Sequence, residues 1–419
     1  MKLIHFLILF CVVSGCRSYA PDPIDWARER TAWSEYSAGA MLLSLAEAQR
    51  HALFLNPEIN ALRARHLASS NAAAQTGWWE DPEVGVDALR MMKGVPKPWI
   101  LDSALAFTIP VNGVPALERK AAEAYAFADA CAIVAAEREL MTEVALAWAQ
   151  HEHTRDRHRS LSHHLGLFEE YNQTVQQLVA AGELDAAEGA RFNLDVLRMK
   201  ADIRQHEVLM ETRRHALLRL MGLHPSARVT FEDAGESEVP VSRATAERED
   251  ALIRHPRVQE KLARLGASEA ELRTEIRRQY PDLKIGPALQ SEEGVTRGGL
   301  TFGMTLPLWN RNRKAIAIAE GERQQVRAEA VNEWKRLVAD MTLADKVLGL
   351  AISEERRSEM EWMTASLSLV DAVALHDAGE TGIMAVIAAH QTVLTSRLNR
   401  LDAEQARKEA QIELERFAE

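Results

Sequence analysis

PDLKIGPALQSEEGVTRGGLTFGMTLP, residues 281–307, decides how the rest of the chain is read. Leu300, Phe302, Met304 and Leu306 alternate there with Gly299, Thr301, Gly303 and Thr305. A period of two puts apolar side chains on one face of a strand and small or polar ones on the other. Leu283, Ile285 and Leu289 alternate in the same way with Lys284, Gly286 and Gln290, and Gly294 after Glu292 and Glu293 supplies the turn between. Each strand is about ten residues long, which is what a tilted strand needs to cross a bilayer, ~9–11 residues.

A second hairpin of this kind occupies residues 82–110. Leu101, Ser103, Leu105, Phe107 and Ile109 alternate with Asp102, Ala104, Ala106 and Thr108, and Val84, Val86 and Ala88 with Glu83, Gly85 and Asp87. Gly94, Pro96 and Pro98 mark its loop. The two hairpins belong to a larger repeat. Asn56-Pro57-Glu58 recurs as His255-Pro256-Arg257 and Pro82 as Pro281, both 199 residues on. Ala181-Gly182-Glu183 recurs as Ala378-Gly379-Glu380, and Val196-Leu197 as Val393-Leu394, both 197 residues on. Several matches in one order indicate a tandem duplication. The chain then divides into a leader (1–15), an N-terminal extension (16–42), a first repeat (43–242) and a second (243–419).

Proline placement divides each repeat, because Pro inside a helix costs ~3 kcal/mol. None falls between Pro115 and Pro225, and none follows Pro307. The spacing predicts long helices over 116–178 and 312–376, roughly 95 Å each at ~1.5 Å per residue. Leu161, Leu165, Phe168, Val175 and Leu178 keep the heptad-like steps of coiled-coil packing. Each long helix ends at an Ala-Gly-Glu turn, where Gly permits a left-handed cap. Shorter helices are expected over 184–222 and 382–418. Further ones are expected over 43–77, opened by the capping box Ser44 and Glu47, and over 245–279.

Four strands in lipid leave edge N–H and C=O groups unpaired at several kcal/mol each, so one chain cannot close a barrel by itself. If the strands span a membrane, several copies pool them. The plainer alternative is a soluble helical protein with two small exposed hairpins.

Composition excludes several classes. Lys plus Arg total 50 against 61 Asp plus Glu, a net charge of −11, which argues against a nucleic-acid partner. Of three Cys, Cys11 and Cys16 lie at the leader and Cys131 stands alone, so no intrachain disulfide framework is expected. Lys2 followed by the apolar run from Leu3 to Val13 reads as a signal peptide, too short to span a bilayer. Val13-Ser14-Gly15-Cys16 matches a bacterial lipobox, which makes Cys16 the lipidation site and leaves it as the first mature residue. Without Asp after Cys16, the default destination is the outer membrane. No phosphate loop, H-E-x-x-H, G-x-S-x-G or Cys pair is present, so no catalytic residue, cofactor or metal site is expected.

The chain resembles the TolC-like outer-membrane efflux factors. The resemblance rests on Leu43-Ser44-Leu45-Ala46-Glu47-Ala48 through Asn56-Pro57-Glu58, on Leu220-Met221-Gly222-Leu223, on Pro281-Asp282-Leu283, on Thr305-Leu306-Pro307-Leu308, and on the Gly182-Glu183 and Gly379-Glu380 turns. It implies a mainly α protein with two membrane β-hairpins. It further implies a homotrimer whose twelve strands form one barrel in outer-membrane lipid, continued by a long α-helical barrel across the periplasm. A periplasmic adaptor and an inner-membrane pump are the implied partners. Gly182, Glu183, Gly379 and Glu380 are then the tunnel tip and adaptor contact. Glu188 and Arg191 occupy the places where the family narrows that end, while Ala385 and Ala388 depart from the pattern in the second repeat. Asn310-Arg311-Asn312-Arg313 after Trp309 resembles the heavy-metal, CzcC-like branch, whose pumps are of the resistance-nodulation-division type and whose cargo is metal cations. A lipid-anchored coiled-coil scaffold without a pore is the alternative. Trp78, Trp79, Trp99 and Trp309 are expected at membrane interfaces.

His151, His153, His158, His163 and His164 crowd one helical stretch. No two are three or four residues apart on the chain in the way a helix-borne chelate needs, and Arg155, Arg157 and Arg159 interleave them. The stretch reads as a solvated outer face.

Overall fold

A computed structural model describes residues 19–37, 39–92, 98–232 and 245–417. The leader, Cys16 and the loop residues Gly94 and Pro96 lie outside the described residues.

The elements of the first half are α1 (Trp26–Tyr36), β1 (Ala40–Leu43), α2 (Leu45–Leu55), α3 (Pro57–Gln75), β2 (Glu83–Arg90), β3 (Trp99–Ile109), α4 (Val114–Ala181), α5 (Ala186–Leu220) and β4 (Arg228–Phe231). Those of the second half are α6 (Thr245–Leu252), α7 (Pro256–Arg277), β5 (Leu283–Glu292), β6 (Val295–Met304), α8 (Arg313–Asp377) and α9 (Ile383–Glu415). The long helices have 68 and 65 residues, so each runs about 100 Å. No helix among the described residues is long and apolar enough to cross a membrane.

The stretches 43–77 and 245–279, expected as single helices, are each broken in two. Asn56 sits at φ −59°, ψ 123° between α2 and α3, and His255 at φ −59°, ψ 136° before α7. Pro57 and Pro256 supply no N–H and push the preceding residue out of the helical region. Each preceding side chain then caps the new helix. Asn56 Oδ1 accepts from the Glu58 and Ile59 amides, and His255 Nδ1 accepts from Arg257 N at 3.3 Å.

Three apolar clusters hold the body together. Trp148, Val144 and Leu140 of α4 pack with Leu217 and Leu218 of α5, Ala48 and Ala52 of α2, and Val229 and Phe231 of β4. Here β4 pairs in parallel with β1, placing Leu43 opposite Phe231. Arg228, Val229, Thr230 and Phe231 alternate polar and apolar, with Val229 and Phe231 buried, but so short an alternation names no partner strand. Leu337, Met341 and Leu348 of α8 pack with Leu252, Val258 and Leu414. The third cluster joins Leu161, Phe168 and Val175 of α4 to Phe192, Val196, Met199 and Ile203 of α5 and to Ile387 and Leu394 of α9. Steps of seven on α4 and of four, three and four on α5 are the knobs of a coiled coil, and Leu165 is partly buried beside them.

Candidate functional site

β2, β3, β5 and β6 form one antiparallel sheet in that order. Glu293 and Gly294 join β5 to β6 with φ of 51° and 89°, the doubly left-handed turn whose twist suits a two-residue hairpin. Val84 lies opposite Leu105, Phe107 opposite Ile285, Ile285 opposite Phe302, and Pro287 opposite Leu300. Residues directly across a ladder share a face, so these side chains form one continuous apolar surface. The other face is polar or small. There Asp87 lies opposite Asp102, Asp102 opposite Gln290, and Gln290 opposite Arg297. On the same face Lys284 Nζ donates to both carboxylate oxygens of Glu83, at 2.9 and 3.0 Å.

Nothing among the described residues covers the apolar face: Val84 is 73% exposed, Leu300 65% and Phe302 67%. A contiguous apolar surface of this kind marks contact with a membrane or a partner. β2 and β6 each pair on one side only, which leaves two rows of unpaired backbone groups. Tight packing holds the middle of the sheet. A Cβ on Gly286 would stand 1.6 Å from the Leu105 carbonyl oxygen, and the β3–β5 ladder is interrupted there, between Ala104 opposite Ala288 and Phe107 opposite Ile285. Pro287, next in sequence, has no amide to give.

The tryptophans sit at both ends of the sheet. Trp99 opens β3 at the end remote from the helices, with Arg90 Cζ 5.9 Å from its ring centroid. Trp78, Trp79 and Trp309 flank the sheet at its helical end and are exposed. Each return from sheet to long helix uses left-handed backbone. In the first half Gly113 has φ 73° and Asn112 donates to Tyr280 O. In the second, Arg311 and Asn312 have φ of 46° and 52°, and Asn312 donates to the Glu275 carbonyl and carboxylate at 2.9 and 2.6 Å. Asn tolerates this region better than most residues.

At the opposite end the two helical hairpins turn in one way. Gly182 (φ 78°) closes α4, with Glu183 N donating to Leu178 O at 2.8 Å and Gly182 N to Val179 O at 3.1 Å. Gly379 (φ 73°) closes α8, with Glu380 N donating to Leu375 O and Gly379 N to His376 O. Both are Schellman caps.

No family model matches the chain. Over 234 residues it is 21% identical to the cobalt-zinc-cadmium resistance protein CzcC of Cupriavidus metallidurans, a match covering 55% of each protein. The chain therefore spans about half the length of the curated relative it matches. Among solved structures it superposes on the outer-membrane channel OprN with a TM-score of 0.76 at 15% identity, covering 96% of this chain and 98% of that one. It also superposes on the outer membrane protein VceC of Vibrio cholerae with a TM-score of 0.74 at 16% identity, covering 92% and 97%. The chain has the fold of the TolC-like outer-membrane efflux channels.

Within the TolC-like fold the expected tip residues Gly182, Glu183, Gly379 and Glu380 fall together at the ends of the helical hairpins. Their neighbours differ. Asp185 caps α5 by accepting from Ala187 N at 3.0 Å, whereas Gly382 begins α9 without a side-chain cap. A Cβ on Gly189 would meet Val179 at 2.7 Å, so the first hairpin is closely packed. Glu188 and Arg191 are exposed one turn apart on α5 and form no ion pair with each other among the described residues; Ala385 and Ala388 are exposed on α9.

The histidine stretch is not a solvated face. His151 is buried against Phe231, ring centroids 5.0 Å apart, and burial, with Arg155 and Arg214 nearby, pushes it down to about 4. His153 Nε2 lies 3.1 Å from Asp402 Oδ1, and His164 Nδ1 lies 2.9 Å from Ser160 O. Only His163 of the five is exposed. The misreading came from taking charge density as solvation: α5 and α9 flank α4 here and cover these side chains. No group of three or more His, Cys, Asp or Glu suited to a metal is found among the described residues. The Asn112 and Asn312 junctions escaped sequence reading, although an Asn before each long helix was the available signal.

Proposed function

We propose that three copies of this chain form a duct in the outer membrane, the outermost component of a tripartite efflux system. The observation that carries this reading is the four-stranded sheet, apolar and uncovered on one face and open at both edges. Lipid suits the apolar face, and a neighbouring copy suits the edges. Because each copy contributes an even number of alternating strands, β6 of one copy meets β2 of the next antiparallel, as barrel closure requires. Three copies give twelve strands and twelve helical columns.

The helical body supports the same assembly. Met360, Met363, Leu367 and Val370 form an exposed stripe on α8, about half a turn from the buried Ser358 and Ala365. Leu194, Leu197 and Val208 form another on α5, opposite the buried Phe192, Val196 and Met199. Each lacks a partner among the described residues, and each is what a neighbouring copy would cover. The paired Pro breaks, left-handed junctions and Schellman turns support an internal duplication, with repeats over 43–242 and 243–419.

Cleavage after residue 15 and acylation of Cys16 would anchor the N-terminus. The Gly182-Glu183 and Gly379-Glu380 turns would meet a periplasmic adaptor, with Glu188 and Arg191 bordering the opening. An inner-membrane pump of the resistance-nodulation-division type would supply the energy, so transport here is passive and the chain is not an enzyme. The likeness to CzcC and the carboxylates of Asp87 and Asp102 on the polar sheet face favour metal cations as cargo. A pore-free scaffold would leave the apolar face in water and is not favoured.

The test is solution mass and conductance. Detergent-extracted protein should have three times the mass of one chain and open conducting events in planar bilayers. A single polypeptide, freely soluble without detergent and cut by protease within 83–109, would refute the reading. Radiolabelled palmitate should enter the wild type and be absent from Cys16→Ala.

A further inference from the structure

Between α4, α8 and α9 lies a groove of about 710 Å³ that no part of the proposed duct mechanism uses. Its chemistry is unbalanced. Arg397 and Arg400 of α9 both stand over the indole of Trp362 on α8, with Cζ atoms 5.6 and 4.7 Å from the ring centroid. Arg400 is neutralised by Glu359, although its Nε is buried without an acceptor. Two further carboxylates line the groove, and both are engaged: Asp156 lies 3.6 Å from Arg159, and Glu404 lies 3.2 Å from Lys408. Arg397 makes no ion pair or hydrogen bond among the described residues. Burial, and Arg400 beside it, hold its guanidinium below the usual arginine value, against the opposing pull of Glu404, Asp156 and Glu359, none of which is close enough to pair with it. His163 and His164 of α4 close the groove opposite, with His164 Nδ1 2.9 Å from Ser160 O.

After internal pairing, one half-buried guanidinium with five donors is left over, beside an indole, Val393 and Leu401. A guanidinium is planar and matches the two oxygens of a carboxylate or similar oxyanion. A groove of this volume is large for a lone ion and within the range of organic ligands, ~300–1,000 Å³. We propose that this groove binds an organic oxyanion, its head group on Arg397 and its body against Trp362. All of the lining lies in one copy, so the site stands whether or not three copies assemble. A bound anion would bridge the first helical hairpin, through α4, to the second, through α8 and α9.

The test is calorimetric titration of the full chain in detergent with phthalate, an aromatic dicarboxylate, and with neutral phthalamide as its control. One saturable phthalate site per chain is expected, with no saturable heat from phthalamide. Arg397→Gln should weaken phthalate binding by ~10-fold or more, the loss of one charge-assisted pair. Glu404→Gln should tighten it by ~2-fold or more, because a nearby negative charge is removed. Absence of saturable phthalate heat, equal binding of phthalamide, or full affinity in Arg397→Gln would each overturn the site. Should Arg397→Gln fail to fold, Glu404→Gln decides the matter, since unchanged affinity there removes the electrostatic basis.

Discussion

The sheet at one end of this protein and the packed helices at the other are built from similar apolar side chains placed in opposite ways. Phe302 stands 67% exposed on a face that nothing covers, while Trp148 is 1% exposed between four elements. A helix brings its stripe to other helices of the same chain. Four strands have no such partner here, and their two edges are unpaired as well. One region therefore buries most of its apolar side chains within the protomer, apart from the exposed stripes on α5 and α8, while the sheet leaves a whole apolar face and both edges for the proposed assembly to cover.

Trp148→Ala should separate the two regions most sharply. It removes an aromatic side chain from the core shared by α2, α4, α5 and β4 and should cost ~3–5 kcal/mol, read as a large drop in the thermal midpoint of extracted protein. Phe302→Arg should do the reverse. A charge on a lipid face costs ~2–4 kcal/mol at the membrane centre and ~0–1 kcal/mol at an interface, and Phe302 lies two residues from the helical end of β6. Assembled oligomer in the outer-membrane fraction should therefore fall, less than for Leu300→Arg at mid-strand, while the helical content of the extracted chain is unchanged. Equal yields of membrane-inserted oligomer from Phe302→Arg and wild type would break the comparison.

Acid should act on the helical body alone. Burial, together with Arg138, Arg257 and Arg416, pushes His255 from 6.5 down to about 4, and His151 behaves alike. Between those values the unfolded chain binds protons that the folded chain refuses, so stability is full above pH 6.5 and declines as the pH falls towards 4. The loss is on the order of 2–3 kcal/mol per buried histidine. His255→Asn, which copies the Asn56-Pro57 break of the first half, should keep the helix cap and flatten the decline measured by denaturant titration at several pH values.

The smallest effect compares the two tips. Asp185→Ala removes a cap worth ~1 kcal/mol and should raise amide exchange at the start of α5 towards that of α9, which begins at the uncapped Gly382. Exchange unchanged at Ala187 would show that the cap contributes nothing there.

Much of this architecture was legible in the sequence because it rests on local rules. Period-two alternation located the four strands of the antiparallel sheet but not β1 and β4, the proline-free stretches located both long helices to within about three residues, and Gly182 and Gly379 marked their ends. Where two local signals competed, the reading went astray: Ser44 and the apolar spacing after it suggested one helix through residue 77, yet Asn56-Pro57 broke it. The tip residues Glu188 and Arg191 could be placed on a helix, but which surfaces stand near them depends on packing. The histidines were misread for the same reason, since charge within α4 says nothing about what α5 and α9 lay over it.

The sequence by itself determined where the chain extends, coils and turns, because alternation, proline and glycine act through a residue's own backbone and its near neighbours. Only the tertiary structure decided which groups meet across long separations. It paired β1 with β4 about 190 residues away, buried His151 beneath Phe231, and brought Arg397 to Trp362 without a carboxylate of its own. These are properties of contact between distant segments, which depend on how whole faces pack and which no short window of sequence contains.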